Sequence, residues 1–102
     1  MRLSVEDFQE LERRVADRDA AAFDTLHRAY QALVHKFVAS KTSNHPLSLE
    51  ITRQIFATAW EKIDRYPWRD FSFHVWILRL ARRELESRGL VNHEDTWLDR
   101  VL

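Results

Sequence analysis

The sequence predicts an all-α fold, a compact bundle of four to five helices, and three observations carry the prediction. One glycine and two prolines among 102 residues leave the chain short of the turn formers that hairpins and barrels demand. Strong helix formers, Ala, Leu, Glu and Arg, are abundant. The apolar residues recur at three- and four-residue steps over most of the length. With 45% hydrophobic and 31% charged residues, the chain has the size and composition of one domain spanning 1–102.

The first helix is expected from about Ser4 to Asp17, with Ser4 as N-cap, Glu6 and Asp7 in the first turn, and Phe8, Leu11 and Val15 on one face. Asp19 then caps a long helix to about Ser40, whose stripe is Phe23, Leu26, Tyr30, Leu33, Val34, Phe37 and Val38. Lys41 to Leu47 reads as a connector, because Thr42, Ser43 and Asn44 compete with helix and Pro46 disfavours it in its predecessor. Ser48 is expected to cap a third helix to about Asp64, burying Ile51, Ile55, Phe56, Ala59, Trp60 and Ile63. Pro67 breaks the pattern. A fourth helix restarts near Phe71 or Ser72 and runs to Arg88 with Phe73, Trp76, Ile77, Leu80, Ala81 and Leu85 inward, ending at Gly89. The tail 89–102 reads as an extension or a short helix from about His93 to Val101 that tucks Trp97, Leu98 and Val101 onto the bundle.

Sixteen basic and sixteen acidic residues cancel, so any pull on nucleic acid must be local. Residues 61–88 carry seven basic and five acidic side chains, the one stretch with a basic excess. The absence of cysteine removes disulfides, thiolate metal sites and thiol nucleophiles, and suits a reducing cytoplasm, where the protein is expected. No apolar run is long enough to span a membrane, and the N-terminus lacks the layout of a signal peptide. The histidines, at 27, 35, 45, 74 and 93, include no pair at metal-binding helical spacing, and a single glycine excludes a glycine-rich phosphate loop. Glu84 and Glu86 project to different sides of a helix. Neither an enzyme nor a cofactor is predicted.

The unusual feature is a cluster of aromatics: Tyr66, Trp68, Phe71, Phe73 and Trp76, interleaved with Arg65 and Arg69. Phe73 and Trp76 fit the inward stripe of the fourth helix. Tyr66 and Trp68 flank Pro67 outside any helical stripe, where their rings either fold over the core or stay open for stacking. Arg79, Arg82 and Arg83 follow at spacings expected to line one exposed face. Cations beside open rings suit single-stranded nucleic acid, since the cations track phosphates and the rings take unstacked bases.

Three segments, in order and spacing, resemble region 2 of the extracytoplasmic-function group of sigma-70-type initiation factors. Asp19, Ala22, Phe23, Leu26 and Tyr30 are similar to the family's Asp-x-x-Ala-Phe-x-x-Leu-x-x-x-Tyr. Ser48 to Phe56 resembles its Ala-Glu-Asp-Leu-Val-Gln-Glu-Val-Phe. Ser72, Phe73, Trp76, Ile77, Leu80, Ala81 and Arg82 resemble its Ser-Phe-x-x-Trp-Leu-x-x-Ile-Ala-Arg. The match covers residues 19–88, leaving 1–18 as an additional N-terminal helix.

The resemblance implies a transcription initiation module with two surfaces. The outward face of the third helix, Glu50, Arg53, Gln54, Ala57 and Glu61, would dock on the clamp helices of the largest subunit of core RNA polymerase. Arg65, Tyr66, Trp68, Arg69, Phe71, Ser72, Arg79, Arg82 and Arg83 would hold the melted non-template strand of the promoter minus-ten element. Several positions depart from the pattern: Glu50, Arg53 and Gln54 replace the family's Asp, Gln and Glu, and Arg83 replaces its Asn. These changes and the zero net charge give a second expectation, a sigma-like domain that binds polymerase or an anti-sigma factor without productive DNA binding. Nothing in the chain corresponds to the family's second helical domain with its helix-turn-helix.

Overall fold

A computed structural model describes residues 4–91, which form four α-helices and one 3-10 turn with no strand among them: α1 Val5–Ala16, α2 Ala20–Ala39, α3 His45–Glu61, the turn Ile63–Arg65, and α4 Phe73–Ser87. The all-α bundle is as predicted. The short helix expected over 93–101 lies outside the described residues.

Two of the helix starts follow the sequence signals. Ser4 Oγ accepts from the Asp7 amide and Asp7 Oδ2 accepts from the Ser4 amide, both at 3.1 Å, closing a capping box on α1. Asp19 Oδ1 accepts from the Ala22 amide at 3.0 Å and starts α2. That hydrogen bond, with the one from Arg14, holds the Asp19 carboxyl below its ordinary pKa.

Between α1 and α2 the chain turns in a left-handed conformation at Arg18, φ 62°, with the Arg18 amide donating to Val15 O and the Asp19 amide to Arg14 O, each at 3.0 Å. Glycine usually occupies this position. Here the arginine reaches across to grip both oxygens of Asp64 at 2.7 and 3.1 Å, while its guanidinium lies over the Trp60 ring. The pairing lowers the Asp64 pKa and ties the 3-10 turn to the α1–α2 junction.

The start of α3 lies four residues earlier than expected. Asn44, not Ser48, is the N-cap: its Oδ1 accepts from the Leu47 amide at 3.0 Å, and Pro46 sits inside the first turn. A proline there loses nothing, because first-turn amides have no helical partner anyway. Ser48 is instead buried, its hydroxyl donating to His45 O at 2.8 Å and meeting His35 Nε2 at 3.1 Å.

α2 packs on α1, α3 and α4, and α3 packs on α4. The core holds Val15 of α1, Leu26, Val34 and Val38 of α2, Ile51, Ile55, Phe56 and Ala59 of α3, Ile63, and Phe73, Trp76, Ile77, Leu80, Ala81 and Leu85 of α4. Phe23, Tyr30, Phe37 and Trp60 are half-buried against it. Leu33, expected inside, is 43% exposed. The buried positions of α2, Ala22, Leu26, Val34 and Val38, keep a four-residue register with the half-buried Tyr30 between them, so the stripe winds around the helix. Leu33, one residue before Val34, sits about 100° away from it.

Candidate functional site

The segment between the 3-10 turn and α4 folds back on itself. Its backbone is closed by local hydrogen bonds: the Trp68 amide donates to Tyr66 O at 2.9 Å, and the Asp70 and Phe71 amides donate to Pro67 O at 2.9 and 3.0 Å. Pro67 keeps the segment out of helix, as predicted. Tyr66, however, does not project outward. It is only 4% exposed, with its ring stacked on Trp76 at 4.8 Å and its hydroxyl donating to Phe71 O at 3.0 Å. As the residue that ends the 3-10 turn, Tyr66 is extended, which swings its ring toward the core rather than along any helical stripe. Burial, and then the nearby Glu12 carboxylate, push its phenol well above the ordinary range. Of the two rings beside the proline, Trp68 alone is partly open, and the Arg69 guanidinium stands over it at 5.0 Å.

Two cavities flank this loop, with Phe71 forming part of both walls. One, about 410 Å³, lies between the loop and α1 and is lined by Gln9, Glu12, Trp68, Arg69, Asp70, Phe71 and Ser72. The other, about 240 Å³, is cationic: Lys62, Arg65, Arg79 and Arg83 surround Pro67, Phe71, Trp76 and Leu80. Arg79 lies against Phe71 at 4.7 Å, and its Nε is buried without a hydrogen-bond partner.

The expected row of arginines on α4 is therefore not a row. Arg79 and Arg83, four residues apart, share the cationic cleft. The Arg82 side chain is 12% exposed and bonds Glu86 at 3.2 Å, so it is absent from the cleft lining. A step of three and a step of four from Arg79 diverge by about 100° on a helix, enough for the bundle to bury one and leave the other at the cleft. Lys62 takes the place that Arg82 was expected to hold. The basic excess of 61–88 is the only sequence signal for it, and it gives no direction.

On α3, Glu50, Arg53, Gln54, Ala57 and Glu61 are all exposed on the outward face. Glu50 is tied to the end of α4 by Arg88 at 3.7 Å. Arg53 and Ala57 border a largely apolar groove of about 480 Å³ shared with α2, where Ala20, Phe23, Asp24, His27, Phe56 and Trp60 form the rest of the lining. His27 stacks on Phe56 at 4.0 Å, and its burial lowers its pKa. Sequence periodicity marks Phe23, Phe56 and Trp60 as core and so misses this groove, which exists because Phe23 and Trp60 sit at the core's edge and leave the buried Phe56 as part of its lining.

Among the described residues no set of three or more His, Cys, Asp or Glu could hold a metal ion, and no helix is long and apolar enough to cross a membrane.

Comparison with known proteins agrees with this architecture. The chain is 30% identical over 82 residues to proteins named ECF RNA polymerase sigma factor SigK from two Mycobacterium strains, KMS and JLS, and equally to RNA polymerase sigma factor SigK from strain MCS. The alignments cover 80% of this chain but 42% of those relatives, so the chain spans about two fifths of their length. No solved structure matches the chain at a significant level. Residues 26–88, which hold the α3 face, the loop and α4, match the model of Sigma-70 region 2. With more than half its length in that match, the chain belongs to the sigma-70 region 2 family, in its extracytoplasmic-function group.

Proposed function

We propose that this domain docks on core RNA polymerase through the outward face of α3 and holds an unpaired promoter strand at the loop and the cationic cleft beside it. The observation that carries the DNA half is the convergence of Lys62, Arg65, Arg79 and Arg83 on one aromatic-floored cleft. Lys62 and Arg83 face solvent at this cleft and the Arg79 Nε has no hydrogen-bond partner, while Arg65 acts electrostatically on Asp64, so most of the charge can meet phosphates. Trp68, with Arg69 and the cavity on the other side of Phe71, supplies a partly open ring for a base.

The magnitudes suit the task. Opening a base-pair step loses roughly 1.4 kcal/mol of stacking, and an aromatic ring returns about 1–3 kcal/mol per stacked base. One ring and a few cations therefore make capture of a melted strand close to neutral, and the isolated domain binds weakly. Docking on polymerase supplies the remaining affinity.

The test is anisotropy of a labelled minus-ten non-template oligonucleotide at several salt concentrations, with and without core polymerase. Trp68→Ala should cost about 1–3 kcal/mol of binding. Arg79→Ala with Arg83→Ala should flatten the salt dependence, by about 0.7 in log–log slope for each phosphate that is no longer neutralised. If both variants bind the strand as the wild type does, the DNA reading fails. The apolar groove beside Arg53 and Ala57 favours the second reading, a sigma-like domain engaged with polymerase or an anti-sigma factor through protein contacts alone. Charge reversal at Glu50 and Arg53 should weaken polymerase capture under either reading while leaving helicity unchanged.

A further inference from the structure

Glu12 is 7% exposed, whereas the other acids of α1, Glu6, Asp7 and Glu10, face solvent. A buried carboxylate is costly unless it is hydrogen-bonded, and this one is. Its Oε2 accepts from the Phe73 amide at 2.6 Å, across 61 positions of sequence. Phe73 is the first residue of α4, so the carboxylate also sits at the positive end of the helix dipole. Ser72 occupies the N-cap position but makes no capping bond, since its hydroxyl is engaged with His74 Nδ1 at 2.9 Å. The Glu12 carboxylate in addition lies beside the Tyr66 hydroxyl.

Tyr66 and Phe73 are the two ends of the loop. One side chain from α1 therefore caps the α4 end of the loop by a direct hydrogen bond and lies close to the ring at its other end, while itself forming part of the cavity wall beside Trp68 and Phe71. We infer that Glu12 is a positioning residue for strand binding: by capping α4 from another helix, it fixes the loop in the form that presents Trp68, Arg69 and Phe71. The inference rests on the strand-binding reading above and adds a residue from outside the family match.

The test uses the full chain with core polymerase, the same labelled oligonucleotide, and amide hydrogen exchange across residues 66–73. Glu12→Ala leaves the Phe73 amide without its partner and should weaken strand binding about 5- to 100-fold, the span expected for an unpaired buried donor. Exchange at Phe73 and in the loop should quicken. Glu12→Gln, whose amide oxygen can still accept from Phe73, should recover most of the binding. Val38→Ala, a core variant on the last turn of α2, serves as the control for stability and should change neither readout. Should Glu12→Ala not fold, Glu12→Asp, which keeps the charge and shortens the reach, carries the same test and should bind weakly. The inference is overturned if the alanine or aspartate variant behaves like Val38→Ala, if Glu12→Gln binds no better than Glu12→Ala, or if Glu12→Gln changes which base is preferred, which would make Glu12 a direct contact. If the wild type itself does not bind the strand, the strand-binding reading fails on its own, and the exchange data alone decide whether Glu12 holds the loop.

Discussion

The two ends of α4 are closed by opposite means. At its C-terminus the helix closes itself: Gly89 adopts φ 72°, its amide donates to Glu86 O at 3.0 Å, and the Leu90 amide donates to Leu85 O at 2.9 Å, the paired bonds of a Schellman cap. At its N-terminus the neighbouring serine does not cap, and a glutamate from α1 does so across 61 positions. The local end is closed as soon as the helix forms. The long-range end is closed only when α1 has docked. The proposed strand-binding loop hangs from the second kind of end, and the proposed polymerase face belongs to a helix of the first kind, α3, started by its own Asn44. One surface sits on a helix whose start is capped within its own segment; the other hangs from an end that only the assembled bundle closes.

Three substitutions sharpen or break this contrast. Phe73→Ala, at the dependent end, should have the largest effect, about 3–5 kcal/mol in urea melts, because the ring is fully buried between Phe23, Tyr30, Tyr66 and Trp76. A loss below about 1 kcal/mol would mean that this end is not anchored in the core. Gly89→Ala, at the self-sufficient end, should cost about 1–2 kcal/mol by its backbone conformation alone, since a methyl group there meets nothing within 4 Å. Its effect should appear in thermal melts and leave the hydrogen exchange of the loop unchanged; quickened exchange at residues 66–73 would show the two ends to be coupled.

Tyr66→Phe should have the smallest effect near neutral pH, about 0.5–1.5 kcal/mol for the hydrogen bond to Phe71 that it removes, but it also changes the response to alkali. The folded-state pKa of Tyr66 is raised from its ordinary value of 10.0, so the neutral phenol's contribution is fully present below that pH and is lost as pH climbs above it. Wild-type stability should therefore fall above about pH 10, and the phenylalanine variant should lose part of that slope. Tyr30, raised likewise by burial, retains the rest. Denaturant midpoints measured from pH 8 to 11 would check this, and identical slopes would refute it.

The same division between local and long-range structure explains what is legible in the sequence. Ser4, Asp19 and Gly89 act on backbone within a few residues, and each is readable from its own neighbourhood. Asn44 is local too, but Pro46 reads as a breaker when it in fact stands in the first turn, where proline is harmless. The core stripe of α4 is readable because its period is regular, and Leu33 is misplaced because the stripe of α2 winds. The site divides in the same way. Trp68, Arg69, Arg79 and Arg83 stand out as aromatic and cationic residues near a proline. The burial of Tyr66, the pairing of Arg82 with Glu86, and the convergence of Gln9, Glu12 and Lys62 on the loop depend on contacts between segments that periodicity does not relate. Glu12 in particular looks like any other acid on an amphipathic helix.

The position of Glu12 also bears on where a domain of this kind should be cut. The stretch that matches Sigma-70 region 2 begins at residue 26, within α2, and a fragment trimmed to it would keep every loop residue and every cation of the cleft. It would lose the carboxylate that caps α4 and Arg18, whose grip on Asp64 ties down the preceding turn. Boundaries drawn by family likeness and boundaries drawn by hydrogen bonds do not coincide in this molecule, and only the second keep the loop and its anchor in one piece.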